Sequence, residues 1–126
     1  MIESLLIANR GEIALRIIKA CNELNIKTIS IYSDADINSD YLKHSSETYY
    51  VGKSQPSESY LNIDKIIDIA NKTSVEAIHP GYGFLSENSA FAEKCAKNNI
   101  IFVGPDSNVL ELCGNKLKTR TLMEKA

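Results

Sequence analysis

The stretch His79-Pro80-Gly81-Tyr82-Gly83-Phe84-Leu85-Ser86-Glu87-Asn88 is the densest concentration of unusual residues in the chain. Two glycines and a proline around two aromatics lose chain entropy on folding unless the backbone conformation itself matters. Gly81 and Gly83 could turn main-chain N–H groups toward a ligand, and Glu87 could act as a base or a cation ligand. The plain alternative for Glu87 is a charge near a helix N-terminus, where the macrodipole favours it. For His79 the plain alternative is a hydrogen-bonded histidine at a strand end.

Asn9-Arg10-Gly11-Glu12-Ile13-Ala14 lies where a dinucleotide-binding turn would lie. That fingerprint needs a first glycine for the tight turn and the close approach of a pyrophosphate, and Asn9 occupies its place. Gly11 and Ala14 fit, and Asp34 or Asp36 could imitate the ribose-binding acid, but the missing glycine argues against NAD. Gly11 then simply lets the helix pack tightly. Gly114-Asn115-Lys116 opens a later helix; a lysine there gains nothing from the dipole but suits a phosphate, the alternative being a solvated surface lysine. Arg16, Lys19 and Glu23 share the polar side of the first helix, either as a solvated face with a weak charge pair between helical neighbours or as a partner surface.

The elements that must hold these groups alternate. Ser4–Ala8 reads as a buried strand, followed by a helix whose stripe is Ile13, Ala14, Ile17, Ile18, Cys21 and Leu24, with Asn25 as its stop. Strands at Thr28–Tyr32, Thr48–Val51, Ala77–His79 and Ile100–Val103 are separated by polar loops at Ser33–Asp40 and Lys53–Ser59. Helices are expected over Asn62–Lys72 and Ser89–Asn98, then from Asp106, an N-cap, to about Cys113, and again over Asn115–Lys125. Continuous apolar strands alternating with helices predict an α/β fold, a doubly wound parallel sheet of about five strands. Ligands in such sheets sit at the carboxyl ends of the strands, so the turns after Ala8, Tyr32, His79 and Val103 share the functional edge.

The 126 residues make one domain's worth of chain. A net charge of -2 argues against a partner held by a basic field, hence against nucleic acid. No apolar run approaches the roughly 20 residues that span a bilayer, and the N-terminus has no signal-peptide pattern. Cys21, Cys95 and Cys113 are odd in number and too widely spaced for a metal pair, so no metal site is expected and reduced cysteines in a cytoplasmic protein are.

Ile7-Ala8-Asn9-Arg10-Gly11-Glu12-Ile13-Ala14, Tyr60-Leu61-Asn62-Ile63, His79–Asn88 and the Gly104-Pro105…Gly114-Asn115-Lys116 tract closely resemble the N-terminal domain of biotin carboxylases, along the whole chain. The likeness is nearest to the biotin carboxylase subunit of bacterial acetyl-CoA carboxylases, and the corresponding parts of pyruvate, propionyl-CoA and methylcrotonyl-CoA carboxylases share the same strings. The resemblance implies a Rossmann-like pre-ATP-grasp domain over residues 1–126. It also implies a ligase reaction in the parent protein: ATP, Mg2+ and bicarbonate form carboxyphosphate, and the released carbon dioxide carboxylates biotin on a biotin carboxyl carrier protein, for use by a carboxyltransferase. By the family pattern Lys116 contacts ATP, with Asn115 where an aspartate is usual. Tyr82 and Gly83, and Glu87 as a possible catalytic group, approach the biotin and bicarbonate side. Arg16, Lys19 and Glu23 map to a homodimer interface, with Lys19 where arginine is common.

The family's later parts, including the ATP-grasp core and its metal carboxylates, are not in this sequence, and the chain closes inside a helical pattern. The expectation is an N-terminal fragment that lacks turnover and binds ATP weakly or not at all, with an exposed apolar patch on its last helices. The other classes to weigh are a free-standing nucleotide or metabolite-binding domain and an NAD-dependent oxidoreductase; the latter lacks both a glycine at position 9 and a substrate domain.

Overall fold

Strand β1 (Ser4–Ile7) alternates its apolar side chains between two cores, and that alternation organises the molecule. In the computed structural model, which describes residues 2–104, Leu6 faces one core with Ile29, Ile31 and Ile78. Leu5 and Ile7 face the other with Ala77. A strand buried on both faces needs helices on both, which is the parallel-sheet solution.

The remaining elements are α1 (Gly11–Glu23), β2 (Lys27–Ser33), β3 (Glu47–Gly52), α2 (Ile63–Thr73), β4 (Ala77–His79), α3 (Ser89–Lys97) and β5 (Ile101–Phe102). The five strands are all parallel, in the order β3-β2-β1-β4-β5. Helix α1 covers one face through Ala14, Ile18 and Cys21. Helices α2 and α3 cover the other through Ile66, Ile67, Phe91 and Cys95. The doubly wound reading therefore holds, and the chain reverses its direction of growth between β1 and β4. Crevices that take ligands form at such a reversal.

Local signals set the ends of the helices. Asn62 and Asn88 cap α2 and α3, each side-chain oxygen accepting a backbone N–H, from Lys65 at 3.1 Å and from Phe91 at 2.9 Å. Asn25 ends the α1 segment at φ +59°, the left-handed conformation asparagine tolerates. Gly11 is a correction: a Cβ there would meet nothing within 4 Å, and φ is +60°, so the glycine serves the turn into α1 and not tight packing.

Two pieces of local structure escape the periodicity. Asp34–Asp36 and Asp40–His44 form short 3-10 turns after β2, and Tyr41 in the second is buried beneath β2. The loop before α2 holds a third 3-10 turn, Pro56–Glu58, that delivers Tyr60 into the core. Cys21 and Cys95 are free and buried, and burial pushes both thiols up, Cys95 to about 12. Among the described residues no helix is long and apolar enough to cross a membrane. The expected helices from Asp106 onward, their apolar patch, Cys113 and the Gly114-Asn115-Lys116 tract lie outside the described residues.

Candidate functional site

The carboxyl ends of β1 and β4 are adjacent, with Ile7 opposite His79 in register. The residues that leave them, Asn9 and Pro80, are therefore neighbours although far apart in sequence. Asn9 is 1% exposed, and its amide closes the crevice. Its Nδ2 donates to the Pro80 carbonyl at 2.8 Å and to the Tyr82 carbonyl at 2.8 Å. Its Oδ1 accepts the Arg10 N–H at 2.8 Å. Gly81 allows that approach, since a Cβ there would lie 2.9 Å from Asn9 Nδ2 and 2.8 Å from Ile13 Cγ2. Under the loop, His79 Nδ1 accepts the Gly81 N–H at 3.0 Å, and burial holds the imidazole pKa below its usual value. His79 is thus a neutral, hydrogen-bonded strand-end residue.

A second anchor holds the loop from the β2 side. Arg10 makes a two-pronged pair with Asp36, Nε to Oδ2 and Nη2 to Oδ1, both at 2.6 Å. The Tyr60 hydroxyl donates to Asp36 Oδ2 at 2.6 Å and accepts the Ser33 N–H at 3.0 Å, and the Ser39 hydroxyl adds a bond to Asp36 Oδ1 at 3.1 Å. The Tyr41 hydroxyl spends its proton on the Ile31 carbonyl at 2.8 Å. These bonds, Arg10 first, hold the Asp36 carboxyl at about 2 although burial opposes ionisation. Burial in turn raises both phenols. The Tyr60 ring then stacks on Phe84, centroids 5.3 Å apart, so the loop is gripped at both ends.

What remains free between the grips is Tyr82–Gly83. Tyr82 is 82% exposed, and a Cβ at Gly83 would meet nothing within 4 Å. The loop overhangs a cleft of about 420 Å³ lined by Asn9–Ile13 and Tyr82–Phe84. On the far side of Arg10 a smaller cleft of about 200 Å³ is lined by Ser33, Asp36, Ser54, Tyr60 and Phe84. The whole arrangement suits a flat, partly apolar group laid on an aromatic face and fixed by a backbone donor.

Of the site residues read from the sequence, the structure brings Tyr82 and Gly83 to the functional edge. Glu87 is exposed one position before the α3 cap. Arg16, Lys19 and Glu23 lie on the solvent side of α1, away from Ala14, Ile18 and Cys21. The charge pair on this face joins Arg16 to Glu12 at 3.8 Å, with both side chains largely exposed, so it adds only a few tenths of a kcal/mol. Asp36, one of the two aspartates weighed as a ribose-binding acid, is instead committed inward to Arg10. Among the described residues no three His, Cys, Asp or Glu side chains gather to hold a metal ion.

Asn9, Arg10 and Tyr60 were not legible as site residues. The signal that could have found them is topological: placing β1 beside β4 puts Asn9 against Pro80 before any side chain is considered.

Residues 1–110 match the family model described as biotin carboxylase, N-terminal domain. The chain is 52% identical over 126 residues to biotin carboxylase 2 of Bacillus subtilis, covering 100% of this chain and 28% of that protein. It is 51% identical over 126 residues to the pyruvate carboxylase of the same organism, covering 99% of this chain and 11% of that one. Among solved structures it is similar to the biotin carboxylase domain dimer of the Hydrogenobacter thermophilus 2-oxoglutarate carboxylase, in complex with MgADP, ADP and bicarbonate. There the TM-score is 0.84 at 44% identity, covering 99% of this chain and 27% of that one. The chain thus spans about a quarter of the shorter relatives it matches.

Proposed function

Because the chain belongs to the biotin carboxylase N-terminal domain family, we propose that it is the opening lobe of an ATP-dependent biotin carboxylase, the ligase that fixes bicarbonate onto biotin. The observation that carries this reading is the loop at the β1/β4 crevice. An exposed tyrosine ring followed by an unobstructed glycine amide is what a fused ring system bearing a ureido group would use. The Tyr82 face takes the apolar ring, and the Gly83 N–H offers a hydrogen bond at its edge. Biotin, when bound, supplies the ureido nitrogen that accepts the carboxyl group. This lobe binds and orients the ring and shields one side of it from water.

The described residues do not by themselves form a cradle for ATP or Mg2+, since the buried carboxylate at the site, Asp36, is taken by Arg10. Lys116 is the residue we assign to ATP contact. Arg16, Lys19 and Glu23 are assigned to a homodimer interface and Glu87 to the bicarbonate side. The carrier protein and the carboxyltransferase are the partners of the whole enzyme, in the cytoplasm.

We favour the biotin carboxylase subunit of an acetyl-CoA carboxylase, serving fatty acid biosynthesis, on the likeness around Ser59–Ile63. The 52% and 51% identities to a biotin carboxylase and a pyruvate carboxylase of one organism fit an acyl acceptor chosen by other domains.

Two measurements test the reading. The complete gene product should consume ATP in the presence of bicarbonate and free biotin, with a rate that depends on biotin; biotin-independent behaviour sinks the proposal. The 126-residue chain should bind Mg-ATP weakly or not at all in calorimetry. Phosphoryl transfer needs several positioned charges and a metal, and one lysine does not supply them. Sub-micromolar affinity in this chain would show that the nucleotide site has been misplaced.

A further inference from the structure

The two carbonyls that Asn9 captures belong to peptides whose N–H groups must point the other way. All peptide bonds in the described residues are trans, and in a trans peptide the C=O and N–H are antiparallel. With the Pro80 carbonyl drawn inward to Asn9, the Gly81 N–H faces away and is taken by His79 Nδ1 at 3.0 Å. With the Tyr82 carbonyl drawn inward at 2.8 Å, the Gly83 N–H faces away as well. It has no acceptor among the described residues, while the Gly83 carbonyl takes the Ser86 N–H at 2.9 Å. One unpaired, outward-facing donor beside an exposed tyrosine is thus left by a side chain that is itself buried.

We infer that Asn9 is a positioning residue for the biotin-facing loop: its amide aims the Gly83 N–H, and with it the Tyr82 ring, at the substrate. The inference rests on the function proposed above. Asn9 suits the task because its short amide offers two donor hydrogens to two carbonyls while its oxygen is fixed by the Arg10 N–H. A carboxylate in the same place would face both carbonyls with no donor. A serine could satisfy one of them. The fit is closed from the other side by Gly81, whose missing side chain leaves the space the Asn9 amide occupies.

The test is steady-state kinetics of the complete enzyme with free biotin, comparing wild type with Asn9→Asp and Gly81→Ala. Both variants disturb the same contact, one through the donor and one through a Cβ that would lie 2.9 Å from Asn9 Nδ2. Disturbing these two hydrogen bonds, one buried and one half-buried, predicts a KM for biotin raised by about tenfold or more in each variant. The KM for ATP should stay within about twofold, a split that general loosening of the fold would not produce. Either soluble, folded variant is enough for the reading. An unchanged biotin KM, or equal rises for biotin and ATP, overturns the positioning role while leaving the proposed function intact. Wild-type enzyme without biotin-dependent turnover overturns the function, and the inference with it.

Discussion

Arg10→Ala is expected to destabilise the fold by about 3–5 kcal/mol, more than Asp36→Ala at the other end of the same pair. The order follows from which charge is stranded. The Arg10 side chain is 47% exposed, and the Asp36 side chain is 2% exposed. A guanidinium left alone can turn to water, so Asp36→Ala should cost about 2–3 kcal/mol, largely through the Tyr60 and Ser39 hydroxyls that lose their acceptor. A carboxylate left alone has no such escape and must protonate or open the site. Denaturant unfolding followed by far-UV circular dichroism suits a chain without tryptophan. Equal losses, or a larger loss for Asp36→Ala, would show that the pair is solvated in solution.

The same pair sets an acid limit. Asp36 ionises at about 2 when folded, below the 3.8 of a free aspartate. As the pH falls below about 4 the unfolded chain therefore takes up this proton first, and the equilibrium moves toward unfolding. The contribution, about 2 kcal/mol, is complete above pH 5 and is lost as the pH drops through 2. In Arg10→Ala the lowering is largely removed, so this part of the acid transition should disappear. An unaltered acid profile in that variant would place the sensitivity on other carboxylates.

The sheet and its helices were legible because burial imposes period. Leu5–Ile7 is apolar on both faces, as a buried parallel strand must be, Ile29 and Ile31 share one buried face of β2, and the stripes of α1 and α2 repeat with the helical turn. Asn25 marked the end of α1 by its own local chemistry, whereas Asn62, counted as the first helical residue, is the cap of α2. The turn Asp40–His44 was not legible, since buried Tyr41 and its half-buried neighbour Leu42 are two adjacent apolar residues in a polar stretch and carry no period. The Arg10–Asp36–Tyr60 network was invisible for a related reason: its members sit in three loops and meet only when β1 and β2 pair. Tyr82 was found through a family string and Gly83 also through its backbone freedom, and only the folded chain shows what holds them. Asn9, read as a dinucleotide turn without its glycine, proved to be the residue whose side chain binds the loop that the crevice needs.

Gly52 and Gly83 separate the requirements of the fold from those of the site, and alanine at the two positions should have opposite consequences. Gly52 ends β3 at φ +146°, and a Cβ there would lie 1.9 Å from the Glu58 carbonyl oxygen. The obstacle is backbone, so the Pro56–Glu58 turn itself must move. Ser59 and Leu61 both donate to the Pro56 carbonyl, at 3.0 and 2.8 Å, and Tyr60 between them carries the bond to Asp36 and the stack on Phe84. The displacement therefore reaches the network and the loop, and Gly52→Ala is expected to cost at least about 4 kcal/mol. Gly83 has φ +75° and open space around its Cβ position, so Gly83→Ala should cost only the left-handed penalty of about 1–2 kcal/mol. In the complete enzyme the same methyl group would stand beside the donor N–H and raise the KM for biotin, with little loss of folded protein. Similar stabilities for the two variants would mean that the turn after β3 yields easily, and Tyr60 could then no longer be what holds Phe84 in place.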